Sequence, residues 1–477
     1  MRTTSHLTTS WPSVLLVLAS IGVLWACGDD GDGAPQLAPT DRGRSDGGQV
    51  DRDPLPPRPD QRDPDPEPTG APEEGLEGNC AVDSNKIFQL AMVDDAPNVT
   101  PLAVDRLQSR FGYAFVNEGG GCSDALMLAM ASDSPQSLEP PMNDMAVDLC
   151  SLMSSPAVEH AGEDDWLLAF VDNREGYHVW VHRFDYHDAS VSDGAKISQA
   201  AGPKGDVTIA RVDADRTIVV WTEEQPDFSQ TLKARAVDLA GEPIAQEHEL
   251  VSGSAVDSVM LARLGTGEDG LPDPTVGLVY HTTGPTGSRA ELQILDTDGA
   301  PVGSAKVLTS DAGELGTVGI AHNRQQEVRR DVAAGALVYV VTVGGSGRQL
   351  WAQLVDEQGE PAQLLDATGR PRGPAPPKRL VNAPLRAIDA SITRMPTGYA
   401  VAYRALPGGP VTRPTIRVLF LDRAGEIIGD SDVGYTTELG GVTSIKMASN
   451  GRIVIGWSEY DGAGKATIKI ASLPCAN

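Results

Sequence analysis

The sequence predicts an all-β fold: a seven-bladed β-propeller of four-stranded antiparallel blades, with an N-terminal strand completing the last blade. Three observations predict it. One strand motif recurs seven times, the flanking segments alternate in hydropathy with period two, and no long helical pattern interrupts them.

The motif is a β-branched run that ends in an aromatic and passes into polar residues: "YAFVNE", "LAFVDN", "VVWTEE", "LVYHTT", "VYVVTV", "VAYRAL" and "IGWSEY". Its aromatics are Phe115, Phe170, Trp221, Tyr280, Tyr339, Tyr403 and Trp457, separated by 55, 51, 59, 59, 64 and 54 residues. An alternating strand precedes most copies ("DVTIAR", "VDSVMLAR", "GTVGIAH", "AIDASITR", "VTSIKMA"). A third follows ("LKARAVD", "ELQILD", "WAQLVD", "TIRVLFLD"), then a weaker fourth such as "HELVSG" or "AKVLTS". Four strands repeated seven times is the arithmetic of a propeller. Two β-sandwiches would also use short strands but would not repeat one unit. The clearest insertion is "DATGRPRGPAPPKR", 366 to 379.

The last unit has three strands, and "KIFQLAMVD" (86 to 94) is the expected fourth, removing a free edge. That expectation places four of the five cysteines. Cys475 ends the third strand of the closing blade and Cys80 lies just before the borrowed one, so a Cys80–Cys475 disulfide is expected. Cys122 and Cys150 open and close neighbouring strands of the first full blade, so Cys122–Cys150 follows. An even count in an exported chain agrees with two crosslinks.

Export is read from the N-terminus. Residues 1–26 carry one Arg, no acid and the apolar run "WPSVLLVLASIGVLWA", too short and too early for a spanning helix. The run ends in Leu24-Trp25-Ala26-Cys27, which resembles the lipobox of bacterial lipoproteins. The resemblance implies cleavage before Cys27, acylation of its sulfur and new amino terminus, and a membrane anchor of several chains. Gly28, in place of the Asp that marks inner-membrane retention, points to the outer membrane, on its periplasmic or outer side. With its repeats, the chain is similar to the propeller lipoproteins of bacterial envelopes. Residues 27–79 alternate Pro with charge and have almost nothing to bury, so they read as an acidic tether, leaving 80–477 for the propeller.

The formal charge is −28. Without tether and signal, 52 acids face 32 bases, so the basic footprint of a nucleic-acid binder is missing.

Candidate chemistry is sparse. Four third strands end in a turn with Asp first and Gly fourth: Asp238/Gly241, Asp296/Gly299, Asp356/Gly359 and Asp422/Gly425. Only one acid recurs, where a calcium loop needs several oxygen ligands, so this is read as a hairpin turn and no metal or cofactor is expected. His178 and His182, four apart on one strand, could approach zinc with a carboxylate, but read as an exposed pair. Trp180 and Trp351 share a position five before the turn Asp and are candidate surface contacts, with packing against a loop the blander reading. No HExxH, G-x-S-x-G, P-loop, haem-attachment motif or sialidase-type Asp box occurs, and no catalytic residue is assigned. The expected role is a monomeric binding or scaffold module for a protein or glycan. The rival is a hydrolase or lyase acting on an extracellular polymer, and a third reading is a structural envelope component.

Overall fold

The structure is a computed structural model. It describes residues 87–93, 102–107, 110–117, 125–132, 145–147, 156–161, 165–172, 175–185, 190–264, 274–284, 287–312, 315–322, 335–343, 347–365, 370–381, 386–395, 398–408, 412–437, 444–447, 453–461 and 465–473. The lipobox, the tether and all five cysteines lie outside them.

The described elements are β-strands in antiparallel sheets, in a propeller-like arrangement. Each sheet is named here by the motif aromatic on its second strand. The Phe115 sheet runs Leu102–Leu107, Arg110–Asn117, Ala125–Ser132, Met145–Val147. The Phe170 sheet has Ala157–His160, Asp165–Asp172 and His178–Asp185, flanked by two short outer segments, Ser190–Val191 and Ala195–Lys196. The Trp221 sheet has Lys204–Arg211, Thr217–Glu224 and Gln230–Val237. Its fourth strand is the start of His248–Arg263, which continues as the first strand of the Tyr280 sheet beside Val276–Gly284, Gly287–Leu295 and Pro301–Ala312.

The Tyr339 sheet has Leu315–His322, Gly335–Val343, Gly347–Val355 and Lys378–Arg379. The expected insertion adds a small hairpin here, Gln363–Leu365 with Pro371–Pro374. The Tyr403 sheet has Arg386–Met395, Gly398–Leu406, Thr415–Asp422 and Ile427–Tyr435. In the Trp457 sheet, Ser444–Met447, Ile453–Tyr460 and Ala466–Leu473 are joined by the N-terminal strand Ile87–Val93, with Ile87 opposite Ala471.

First strands of successive sheets lie against one another: 102–107 on 157–160, then 204–211, 248–263, 315–322, 386–395 and 444–447, which meets 102–107 again. The cores lie between sheets. Val219 and Trp221 pack with Val179 and Val181 of the preceding sheet, while Ile218 and Val220 on the same strand pack with Leu278 and Tyr280 of the following one. A second strand is therefore buried on both faces. That is why "TIVVW" is a continuous apolar run rather than an alternating one.

The Asp–Gly turns are as expected, and the four are alike. Asp296 Oδ1 accepts the backbone N–H groups of Asp298 at 3.0 Å and Ala300 at 2.8 Å. Asp238, Asp356 and Asp422 do the same two and four residues on. The fourth residue is left-handed in each, with φ of 86°, 86°, 71° and 74° at Gly241, Gly299, Gly359 and Gly425. A second reason for glycine comes from the neighbour. A Cβ on Gly241 would stand 2.9 Å from Val181 Cγ1, and one on Gly359 2.9 Å from Leu292 Cδ2, in each case on the third strand of the preceding sheet.

Candidate functional site

Chemistry-bearing side chains gather where the first strands begin and the second strands end. First strands are irregular here: register shifts fall between Lys204 and Val207, Asp257 and Val259, Leu315 and Val318, and Ile388 and Ser391. Each bulge lies beside the motif aromatic, since Val207, Val259 and Val318 pair with Trp221, Tyr280 and Tyr339. Two bulges hold a non-glycine residue in the left-handed region, Ser258 and Asp389, both at φ 55°. Such a conformation costs on the order of 1–3 kcal/mol and persists only where the surroundings enforce it.

The enforcement is visible. Asp206 Oδ2 accepts the Ser258 N–H at 3.2 Å, and Ser258 Oγ accepts the Val318 N–H at 3.0 Å, so three consecutive sheets are linked through their first strands. Asp389 Oδ2 stands 3.4 Å from Arg404 Nη1, and Arg404 Nη2 donates to the Ser458 carbonyl of the next sheet at 3.2 Å. Burial pushes the Asp389 carboxyl upward, opposed by the charges of Arg404 and Arg348. Arg404 is fully buried, and that burial pulls its guanidinium down against the pull of Asp389 and Glu459.

A second layer sits beside each aromatic. The third-strand residue opposite it is Met127, Trp180, Lys233, Glu291, Trp351, Arg417 or Lys469. Lys233 Nζ reaches Glu223 Oε1 at 3.2 Å and Glu247 Oε1 at 2.8 Å. Glu223 Oε2 lies 3.5 Å from Lys204 Nζ, whose side chain is wholly buried. Tyr280 donates its hydroxyl to Glu291 at 3.2 Å, and its pKa is raised, first by burial and then by the Glu291 charge. Burial pushes the Tyr403 hydroxyl up to about 12. Trp457 Nε1 donates to Glu459 Oε1 at 3.0 Å, and Lys469 Nζ donates to Glu459 Oε2 at 2.7 Å. Trp180 thus stands opposite the buried Phe170, and Trp351 holds the corresponding place opposite Tyr339. Both indoles are half-buried, and Trp351 packs against the cluster of Leu292, Ile294 and Val318.

The histidine pair is corrected. His178 and His182 are buried, with 5% and 2% exposure, where the sequence reading made them exposed. His182 stacks on Phe170 at 5.1 Å between ring centroids, and its Nδ1–H donates to the Ser192 carbonyl at 2.8 Å. His178 Nδ1 is 3.0 Å from the Ser198 carbonyl, and its pKa is lowered, chiefly by burial. The physical reason lies in the outer segments. The ladder to the fourth strand is interrupted beside residue 182, so a side-chain donor takes up a carbonyl there. Arg235, Gln293 and Gln353 hold the same position and donate to the carbonyls of Ala245, Val302 and Ala375. Leu419 is the exception that fits, because it pairs directly with Asp430 inside the unshifted run Arg417–Phe420.

No group of three His, Cys, Asp or Glu side chains is arranged to hold a metal ion among the described residues. Lys204, Asp389 and Arg404 were not singled out by sequence reasoning. Their signal is a charged residue within a predicted strand, which becomes informative only once the neighbouring strand is known.

Stacked antiparallel sheets with polar bulges on the first strands give a basis for comparison. The arrangement is similar to that of a bacterial lectin. The BP39L lectin of Burkholderia pseudomallei superposes with a TM-score of 0.52 at 12% identity, over 80% of this chain and 97% of that one. An α-L-arabinanase of Penicillium chrysogenum, complexed with arabinobiose, gives 0.41 at 11% identity over 67% and 92%. An α-L-arabinofuranosidase of Fusarium graminearum, with an iminosugar inhibitor, gives 0.41 at 10% over 81% and 98%. At these identities the lectin likeness speaks for the fold. The chain matches no protein-family model and no curated protein.

Proposed function

We propose that the chain is an envelope lipoprotein, anchored through acylated Cys27 and held off the membrane by residues 27–79, whose repeats close into a seven-bladed propeller serving as a binding module. Contact of the 444–447 strand with 102–107 and pairing of Ile87–Val93 with Ala466–Leu473 support the closed ring. The binding role rests on one observation: the described acids and bases Asp206, Asp389 and Arg404 at the inner strand ends are spent on holding sheets together. Asp206 is taken by the Ser258 amide and Asp389 by Arg404, while Trp221, Tyr280, Tyr403 and Trp457 are fully buried. A glycosidase would need two carboxylates facing a substrate across a gap. This end instead has the build of a rigid frame, which leaves recognition to the loops. A glycan or a protein segment is the ligand class.

The reading is tested on the exported protein. Cys27→Ala abolishes lipid labelling and releases the domain, and unchanged membrane retention overturns the anchor. Purified wild-type protein binds a glycan or peptide ligand without turnover. Hydrolysis of a polysaccharide that is lost in Asp389→Asn would overturn the binding reading in favour of an enzyme.

A further inference from the structure

Phe228 stands apart from the other aromatics. It is 83% exposed, above every other large hydrophobic among the described residues. It occupies the tip of the hairpin between the second and third strands of the Trp221 sheet, with φ 64°. A bulky side chain in the left-handed region is an outlier, where Gly or Asn would be relaxed. The turn is fixed: the Phe228 N–H donates to the Gln225 carbonyl at 2.9 Å and the Gln225 N–H to the Ser229 carbonyl at 2.7 Å. Asp227 Oδ1 accepts the amide and hydroxyl of Ser229 at 3.0 and 2.6 Å.

The hairpin stands on a stiff base. The Glu224 N–H donates to the Pro203 carbonyl at 2.9 Å. Buried Lys204 gathers the carbonyls of Ala200 and Gly202 at 2.7 and 3.2 Å, and Glu247 holds the Gln199 N–H at 2.9 Å. The ring is thus presented on a preorganised support, which lowers the ordering cost of binding.

The exposed charge on the turn is of one sign. Glu224 and Asp227 are exposed on the same turn, which carries no cation, and the hydroxyl and amide of Ser229 hold the Asp227 carboxyl below its ordinary value. The protein itself supplies the comparison. Its next most exposed aromatic, Tyr435 at 68%, also flanks the start of a third strand, and the Arg413 guanidinium lies over that ring at 5.7 Å. Phe228 has no such cover among the described residues. A cation over an aromatic face is attracted by the ring quadrupole, and flanking carboxylates add to that attraction.

We propose that the Phe228 hairpin is the docking point for a basic, Lys/Arg-rich segment of a partner protein, a side-chain cation taking over Phe228 the place Arg413 takes over Tyr435, with Glu224 and Asp227 as counter-charges. The proposal deepens the binding reading and rests on it. A formal charge of −28 steers such a partner inward.

The test uses the full exported chain and a fluorescent peptide of alternating Lys and Ser, with its Gln-for-Lys counterpart and a panel of neutral oligosaccharides as comparison probes. The basic peptide binds wild type and weakens steeply with salt, and the other probes do not bind at this hairpin. Phe228→Gly relieves the left-handed strain, so Tm holds or rises while peptide affinity falls by roughly tenfold. Glu224→Gln with Asp227→Asn lowers the salt dependence. Unchanged peptide affinity in Phe228→Gly overturns the proposal, as does an oligosaccharide whose binding that variant abolishes. A ligand found at other loops removes this docking point but leaves the binding module standing, whereas turnover of a polymer removes both.

Discussion

His182 donates through Nδ1 to the Ser192 carbonyl at 2.8 Å, at the point where the third strand of its sheet loses contact with the fourth. Gln293 and Gln353 stand in the same relation to Val302 and Ala375. A single position therefore carries the closure of irregular outer segments across several sheets. Gln353→Leu removes the donor from a buried site and costs about 1–3 kcal/mol, because the carbonyl loses its partner without regaining water. Hydrogen exchange near residues 375–381 rises in parallel. Leu419→Ala costs a similar amount through a cavity instead, and leaves exchange along 427–435 unchanged. Equal exchange patterns in the two variants would show that the side-chain donor has no such role.

Gly359 is held by two constraints at once. Its φ of 71° suits glycine, and a Cβ there meets Leu292 and Ile294 of the preceding sheet at 2.9 Å. Gly359→Ala should cost about 1–3 kcal/mol, read as a lower denaturant midpoint. At Gly425 the nearest neighbour of a Cβ is Leu354 at 3.6 Å, so Gly425→Ala carries the backbone term without the clash and costs less. The reverse order would remove the inter-sheet contact as a cause.

His281 is 1% exposed, and neither ring nitrogen has a hydrogen-bond partner. Burial lowers its pKa from 6.5 to about 4. The folded value lies below the unfolded one, so the unfolded chain binds the proton more tightly. Stability is thus complete above pH 6.5 and declines as the pH falls toward about 4, below which this residue adds no further slope. His281→Leu flattens that part of the acid limb in a Tm-against-pH series. An unaltered slope would assign it to other groups, among them buried His178.

Ile87 pairs with Ala471, which places the strand pair seven residues after Cys80 and four before Cys475. Non-reducing peptide mapping is expected to recover Cys80 linked to Cys475 and Cys122 linked to Cys150. Reduction should then lower Tm, since a crosslink of such span removes about 4 kcal/mol or more of unfolded-state entropy in the chain-entropy account. A Cys80–Cys122 product would undo the pairing.

The sequence by itself determined the β class, the repeat length, the strand order within a unit and the Asp–Gly turns. All of these are local. A period of two, a hairpin's positive φ and a recurring aromatic can be read along one chain. It also located the N-terminal strand, because a three-stranded last unit leaves an edge to be covered. The tertiary structure decided which polar residues are buried. His182 looked exposed because its counterparts in other repeats are Arg235, Gln293 and Gln353, residues that usually face water. They are instead donors to outer-segment carbonyls, an accounting that exists only once the fourth strand is placed. The same holds for Asp389 with Arg404 and for Lys204 with Glu223. Each is an isolated charge in sequence and a partnered one in space, because the compensating group arrives from the adjoining strand.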